Sequence, residues 1–155
     1  MSAESAEGAW NKVGSLVPME LRDVPFYNAV RNECRVFLHT QRTFTLQESA
    51  TWFVKERPPF LMALLGGLPI GYCRIQREGD EATIGMDIHV DFRGRGLARP
   101  IYKALMARLA DEGVKNFRLF VLKTNARAAH LYAAIGFVVV AETDIDYEME
   151  LRRGT

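Results

Sequence analysis

The chain has 155 residues, of which 48% are hydrophobic and 25% charged, and this is the size and composition of one globular domain. Its 20 Lys and Arg against 19 Asp and Glu give a net charge of +1, which argues against a nucleic-acid-binding protein and means that any anion site is local. Two cysteines without metal-ligand spacing, no secretion signal at the start and no run of about 18 apolar residues predict a cytoplasmic protein without a metal or a membrane partner.

In chain order, the small and polar residues 1–14 are expected to form a flexible segment before a single domain over residues 15–155. A first strand is predicted within "VPMELRDV" (residues 17–24), followed by two helices, of which the second begins with a capping box between Thr45 and Glu48. Three strands, a helix, a strand, a helix and two strands complete the order β-α-α-β-β-β-α-β-α-β-β. The strand, helix and strand in the middle imply a parallel pair, so the fold class is α/β with a mixed sheet.

The strand "ATIGMDIHV" alternates strictly between two faces. One face is apolar, and the other carries Glu81, Thr83, Gly85, Asp87 and His89. The pattern is typical of a strand with one buried face, and it places two carboxylates on the polar side.

This strand leads into "RGRGLA", which stands immediately before the next helix. Gly94 and Gly96 allow a tight turn in which backbone N–H groups can approach a ligand, and the helix N-terminus favours an anion such as a pyrophosphate. Arg93 and Arg95 can add charge-assisted contacts. The same glycines also suit a plain strand-to-helix connection, and the turn alone leaves both interpretations open.

A second motif, "NARAAHLYAAIGF", follows one strand later. The residues that matter in the two motifs are Arg93, Gly96 and Ala98 in the first, and Asn125, Ala128, Leu131, Tyr132, Gly136 and Phe137 in the second. Together they resemble the GNAT superfamily of N-acetyltransferases, over an order of elements from about residue 18 to 151. The resemblance implies acetyl-CoA as cofactor, transfer of its acetyl group to a primary amine by direct attack in a ternary complex, and central parallel strands that splay apart.

By the same resemblance, the cofactor site lies at the splayed strands. The backbone of Arg93, Gly94, Arg95, Gly96, Leu97 and Ala98 would hold the pyrophosphate, while Ile88, His89 and Val90 would pair with the pantetheine arm as an added strand and Asn125 would hydrogen-bond it. Tyr132 would protonate the departing thiolate or orient the thioester, because a phenol with a pKa of ~10 stays protonated at neutral pH. The amine also needs a proton acceptor, and the candidates are Asp87 and Glu81, each of which also fits a solvated surface group.

The acceptor side is less determined. Arg31 and Asn32, with Trp52 and Phe53 late in the second helix, are similar to a branch that includes amino-sugar nucleotide and ribosomal-protein N-terminal acetyltransferases. The same residues also fit a solvated face and a helix core. The expected partner is a small-molecule amine, such as an amino sugar or sugar nucleotide, bound by a monomer or homodimer. A protein N-terminus as acceptor and a non-catalytic acyl-CoA sensor stay open as alternatives.

Overall fold

Seven strands form one mixed sheet in the computed structural model, which describes residues 3–153. The strands are β1 (Gly14–Pro18), β2 (Leu61–Leu65), β3 (Leu68–Glu78), β4 (Glu81–Ile88), β5 (Asn116–Leu122), β6 (Val138–Glu142) and β7 (Asp146–Arg152). Their order across the sheet is β1-β2-β3-β4-β5-β7-β6, and all neighbours are antiparallel except β4 and β5. The predicted mixed sheet with a central parallel pair is confirmed.

Five helices cover the two faces of this sheet: α1 (Ala3–Val13), α2 (Val24–Glu33), α3 (Leu46–Glu56), α4 (Ala98–Asp111) and α5 (Ala126–Ile135). The larger hydrophobic core lies under α1, α4 and α5, and it takes the apolar face of β4 through Ala82 and Ile84. A second core joins α2 and α3 to Met62 and Tyr72 on the opposite face. The alternation of β4 therefore separates a buried side from the side that α2 and α3 only partly cover.

The N-terminal segment differs from the sequence expectation. Residues 3–13 form helix α1, and the first strand covers Gly14–Pro18 rather than residues 17–24. Ala6 and Trp10, one helical turn apart, are both buried in the larger core. The flexible segment predicted for residues 1–14 is therefore wrong over residues 3–13, and residues 1 and 2 lie outside the described residues. The small polar side chains of this segment gave no helical period, and the helix is stabilised by the packing of Ala6 and Trp10 against the larger core.

Truncation of Trp10 should therefore destabilise the whole domain. The side chain is only 5% exposed, and we expect Trp10→Ala to lower the free energy of unfolding by about 3–5 kcal/mol because a large cavity replaces the indole. Denaturant unfolding followed by circular dichroism measures the change. Val13→Ala is the matched control in the same helix, because Val13 is half exposed and should change stability by less than about 0.5 kcal/mol. Equal effects of the two substitutions would contradict the packing of α1.

The central parallel strands separate along their length. Pairing between β4 and β5 is confined to three positions: Glu81 with Asn116, Ala82 with Phe117 and Thr83 with Arg118. β4 continues to Ile88 and β5 to Leu122, where β5 is paired with β7 alone. The predicted splay is confirmed, and it leaves one edge of β4 open beside the glycine turn.

Among residues 3–153, every helix is too short or too polar to cross a lipid bilayer.

Candidate active site

The glycine turn adopts a conformation that only glycine takes readily. Gly94 and Gly96 have φ angles of +72° and +81°, and Leu97 is buried beneath them as the residue that caps α4. Within the described part of the chain, no backbone carbonyl accepts a hydrogen bond from the N–H groups of residues 94–97, and no side chain caps α4. These N–H groups, with the partial positive charge of the helix N-terminus, form a cradle that fits an anion.

The arginines at this turn are not equivalent. Arg93 turns inward, where its Nε donates to the carbonyl oxygen of Ile88 at 2.8 Å and its Nη2 lies 3.4 Å from Sγ of Cys34. Arg95 is exposed and lies over the ring of Phe92. Of the two arginines predicted to supply positive charge at the turn, only Arg95 is exposed there. The side chain of Arg93 instead stabilises the end of β4 through its hydrogen bond to Ile88.

A further cation reaches the turn from α5. Nη2 of Arg127 lies 3.5 Å from the position that a Cβ on Gly94 would occupy. Arg127 was not predicted as a site residue, although it stands inside the second motif. The residue sits 33 positions after Gly94, and only the packing of α5 beside α4 brings the two together.

Some backbone groups at the end of β4 already form hydrogen bonds within the protein. The N–H of His89 donates to Ile70 on β3, the carbonyl of Ile88 accepts from Arg93, and Val90 begins a 3-10 helix. Backbone groups on a strand alternate between its two neighbours, so those of Ile88 and Met86 face the gap. The open edge thus includes Met86, which the sequence analysis did not name, while His89 faces β3.

Tyr132 lies where α5 crosses the larger core. Its hydroxyl is 3.1 Å from the hydroxyl of Tyr102, a buried residue of α4, and its ring lies edge-on to Phe137. Burial raises the pKa of Tyr132 above its ordinary value, although the bond from Tyr102 and the charge of Arg74 partly oppose this shift. Tyr132 is therefore a protonated donor at neutral pH. Its partner Tyr102 was not predicted from the sequence.

Asn125 caps the same helix. Its side-chain oxygen accepts from the N–H of Ala128 at 3.3 Å, as expected for an Asn at a helix start. The contact accounts for the spacing of these two residues in the motif, and the role of Asn125 toward pantetheine stays a prediction.

The two candidate carboxylates lie at opposite ends of β4. Asp87 is 4% exposed, accepts a hydrogen bond from Tyr72 and lies 3.3 Å from Nε of Arg74. Glu81 lies at the start of the strand, within 2.8 Å of Arg118 and accepting from Asn116. Six residues of strand, about 20 Å, separate the carboxylates, and only Asp87 is near the splayed end.

The four predicted acceptor residues fall into two groups. Arg31 is buried and donates to the carbonyls of Thr40 and Arg42, and Asn32 exchanges two hydrogen bonds with the backbone of Phe44. Both therefore hold the loop between α2 and α3. Trp52 stacks on Tyr27 and lines the space above the sheet, whereas Phe53 packs against the second core.

The space above the polar face of the sheet is a cavity of about 760 Å³. Its floor is formed by β3, β4 and β5, and its walls by α3 and the loops that flank it. The residues that matter here are His39, Trp52, Phe60, Arg74, Gly85 and Phe120. His39 is held by a 2.7 Å contact with Asp146, which joins the loop after α2 to β7. The cavity is therefore aromatic at its walls and carries a cation, Arg74, on its floor.

A sequence model of the acetyltransferase (GNAT) family matches residues 24–137, which include the splayed strands, the glycine turn and Tyr132. The chain belongs to this family.

Curated and solved proteins agree with the family. Mycothiol acetyltransferase from Corynebacterium efficiens is 29% identical over 109 residues, which are 67% of this chain and 35% of that protein. The spermidine N-acetyltransferase of Vibrio cholerae, solved with CoA and spermine, superposes with a TM-score of 0.84 at 17% identity, covering 92% of this chain and 97% of the other. A Salmonella typhimurium protein solved with acetyl-CoA gives a TM-score of 0.74 at 18% identity over 92% and 95% of the two chains.

The two kinds of match carry different information. This GNAT chain spans about a fifth to about a third of the length of the curated relatives it matches. The solved neighbours have low identity and therefore support the fold. The predicted family is confirmed, and the acceptor has to be argued from this chain's own residues.

Proposed function

We propose that this protein transfers the acetyl group of acetyl-CoA to the primary amine of a small molecule. The observation that carries the proposal is the open edge of β4 from Met86 to Ile88, which is followed, after the short 3-10 helix at Val90–Phe92, by the N–H groups of residues 94–97 that have no backbone partner among the described residues. An extended arm that continues the sheet would deliver its anionic end to that turn.

The residues at the turn fit coenzyme A. Backbone N–H groups, the N-terminus of α4 and the guanidinium groups of Arg95 and Arg127 all favour a pyrophosphate. Met86 offers its backbone N–H and carbonyl, and Ile88 its N–H, to the amides of the pantetheine arm. Asn125 caps α5, the helix that follows β5, and Tyr132 lies on it. Acetyl-CoA, when bound, supplies a thioester whose acetyl group passes to the amine as the thiolate departs.

The reaction involves two proton transfers, and residues of this chain carry out both. The amine loses one before it attacks, and Asp87 at the splayed end is the carboxylate in position to receive it directly or through water. The Tyr132 hydroxyl, held by Tyr102, donates a proton to the departing sulfur. Glu81 is held by Arg118 and Asn116 far from the gap, so we assign it no proton transfer.

The acceptor is a small-molecule amine. An amino sugar on a nucleotide carrier was the finer expectation, and the phosphates would have needed free arginines on α2 and its loop. Arg31 is instead bonded to backbone carbonyls, and Arg42 pairs with Glu48 at 3.0 Å. Among the described residues, the cavity above β4 is lined by one arginine, Arg74, and by no cluster of cations that would match a nucleotide's phosphates. A protein N-terminus and a non-catalytic sensor are the outcomes that the experiment below separates.

The test is calorimetric titration of the purified protein with acetyl-CoA, followed by thiol release against a panel of amines, sugar nucleotides and N-terminal peptides. Binding with thiol release for small amines supports the proposal. Binding with release only for peptides indicates the N-terminal alternative, and binding without release for any amine indicates a sensor. No binding overturns the proposal.

Loss of the Asp87 charge should shift the pH dependence of turnover. In Asp87→Asn no carboxylate takes the ammonium proton, so we expect kcat near pH 7 to fall by about 100-fold and to recover as pH rises toward the pKa of the free amine. Rate measurements from pH 6 to 10 check this. Glu78→Gln, at the exposed end of β3, is the control and should leave the profile unchanged. A uniform loss at all pH values would exclude Asp87 as the base.

A further inference from the structure

Arg74 is fixed on the floor of the cavity by its neighbours. It faces Gly85 across the β3–β4 ladder, and a Cβ on Gly85 would lie 2.5 Å from its Nη2 and 2.6 Å from its Cζ. The guanidinium therefore lies flat on the backbone of β4, in a position that any larger residue than glycine would block.

A buried carboxylate sets the orientation of this guanidinium. Asp87 lies 3.3 Å from Nε of Arg74, and its same oxygen accepts a hydrogen bond from Tyr72. Both partners come from the polar face of β3 and β4, so the arrangement is held by regular strand pairing. Asp87 thus occupies the Nε side of Arg74 and turns the other edge of the guanidinium toward the cavity.

The N–H groups on the two terminal nitrogens of Arg74 are available to a ligand. Among the residues whose side chains the structure describes, none accepts a hydrogen bond from Nη1 or Nη2 of Arg74, and the side chain is 41% exposed where it lines the cavity. The other ionisable side chains that line the cavity, among the described residues, are His39, which contacts Asp146, and Glu56 at the C-terminal end of α3. A guanidinium with two parallel N–H groups matches a carboxylate in a bidentate contact.

We infer that Arg74 binds a carboxylate of the acceptor, so that the substrate class is a short amino acid with a free amine. The inference rests on the proposed function. The Asp87 carboxylate lies 3.3 Å from Nε of Arg74, so an acceptor with its carboxylate at the outer edge of the guanidinium and its amine near Asp87 must be short. Amino acids with one to three carbons between the two groups are short enough to reach both.

The experiment compares amines that differ only in the carboxylate. Acetyl-CoA-dependent thiol release is measured for L-alanine, β-alanine and 4-aminobutyrate, each against its own amide. We expect at least one acid to be preferred over its amide by about 10- to 100-fold in kcat/KM, the effect of one charge-assisted bidentate contact. Arg74→Met should reduce this preference to about 3-fold or less, chiefly through KM for the acid.

Three further variants separate recognition from folding. Arg77→Met removes the same side chain from the same strand on the opposite face, where it pairs with Glu112, and should keep the preference. Arg74→Lys should keep part of it, and Gly85→Ala should weaken it by displacing the guanidinium while both charges remain. Coenzyme A affinity, measured by calorimetry, should be unchanged in all of them.

The outcomes are distinct. A preference for the acid that survives in Arg74→Met, or in Gly85→Ala if Arg74→Met does not fold, overturns the inference. Thiol release with no preference between acids and amides in the unaltered protein overturns it too, while the acetyltransferase function stands. Absence of acetyl-CoA binding overturns the proposed function and this inference together.

Discussion

Replacement of Gly96 by glutamate should raise the dissociation constant of coenzyme A by about 100-fold or more, equivalent to about 2.7 kcal/mol. Two effects act in the same direction. The φ of +81° at this position is costly for any residue with a Cβ, so the turn would reshape. The new carboxylate would also stand among the N–H groups of residues 94–97, where it competes with the pyrophosphate for donors and repels its charge.

The matched control is Gly79→Glu. Gly79 also has a positive φ, +62°, and lies in the tight turn between β3 and β4, with open space around the position of a Cβ. The two variants therefore share the backbone strain and the added charge but differ in their distance from the glycine turn at residues 93–98. Calorimetric titration should give an unchanged affinity for Gly79→Glu. Equal losses in both variants would mean that strain or net charge, and not the turn, controls binding.

Removal of the Tyr132 hydroxyl should lower kcat by about 100- to 1,000-fold while coenzyme A affinity stays the same, because general acid catalysis to the leaving sulfur is lost but the ring still packs against Phe137. Since burial raises the pKa of Tyr132 above its ordinary value, this hydroxyl stays protonated around neutral pH, and its ionisation should not limit the rate of the unaltered protein there. Steady-state kinetics of Tyr132→Phe and of the unaltered protein from pH 6 to 8 measure both effects.

Tyr147→Phe serves as the comparison for this variant. Tyr147 lies on β7 and contacts Lys123 through its ring, so its hydroxyl has no place in the proposed chemistry. We expect kcat within about 2-fold of the unaltered protein. If Tyr132→Phe also turns over normally, its hydroxyl has only a packing role with Tyr102.

Patterns that are contiguous in the chain were predictable. The alternation of β4, the glycines before α4 and the Asn–Ala and Tyr–Gly–Phe spacing along α5 each depend on a local period or a local backbone angle. They were sufficient for the order of elements from the first strand onward, the parallel pair and the family. The helix at residues 3–13 was not predicted, because its only aromatic residue within a polar segment is Trp10. Whether that side chain is buried depends on the parts of the fold that pack against it.

Contacts between residues that are far apart in the chain could not be predicted from the sequence and were found only in the folded structure. Arg31 and Asn32 stand in a motif that suggested substrate binding, yet the loop after α2 folds back and uses them for its own carbonyls and amides. Buried backbone groups need partners, and nothing local in the chain indicates which side chains will supply them. Arg127 at the glycine turn and Tyr102 beside Tyr132 were not predicted for the same reason, since each contacts its partner through helix packing.

The sequence by itself determined the family and the position of the glycine turn, and it predicted Tyr132 as the candidate acid, because short motifs fix backbone geometry and side-chain type within one element. The tertiary structure decided which charges remain available to a ligand. Arg93 and Arg74 are both arginines next to β4, but the first is turned inward to Ile88 and the second keeps its terminal nitrogens toward the cavity. That difference depends on Gly85 lying opposite Arg74 and Asp87 lying beside it, a register set by strand pairing.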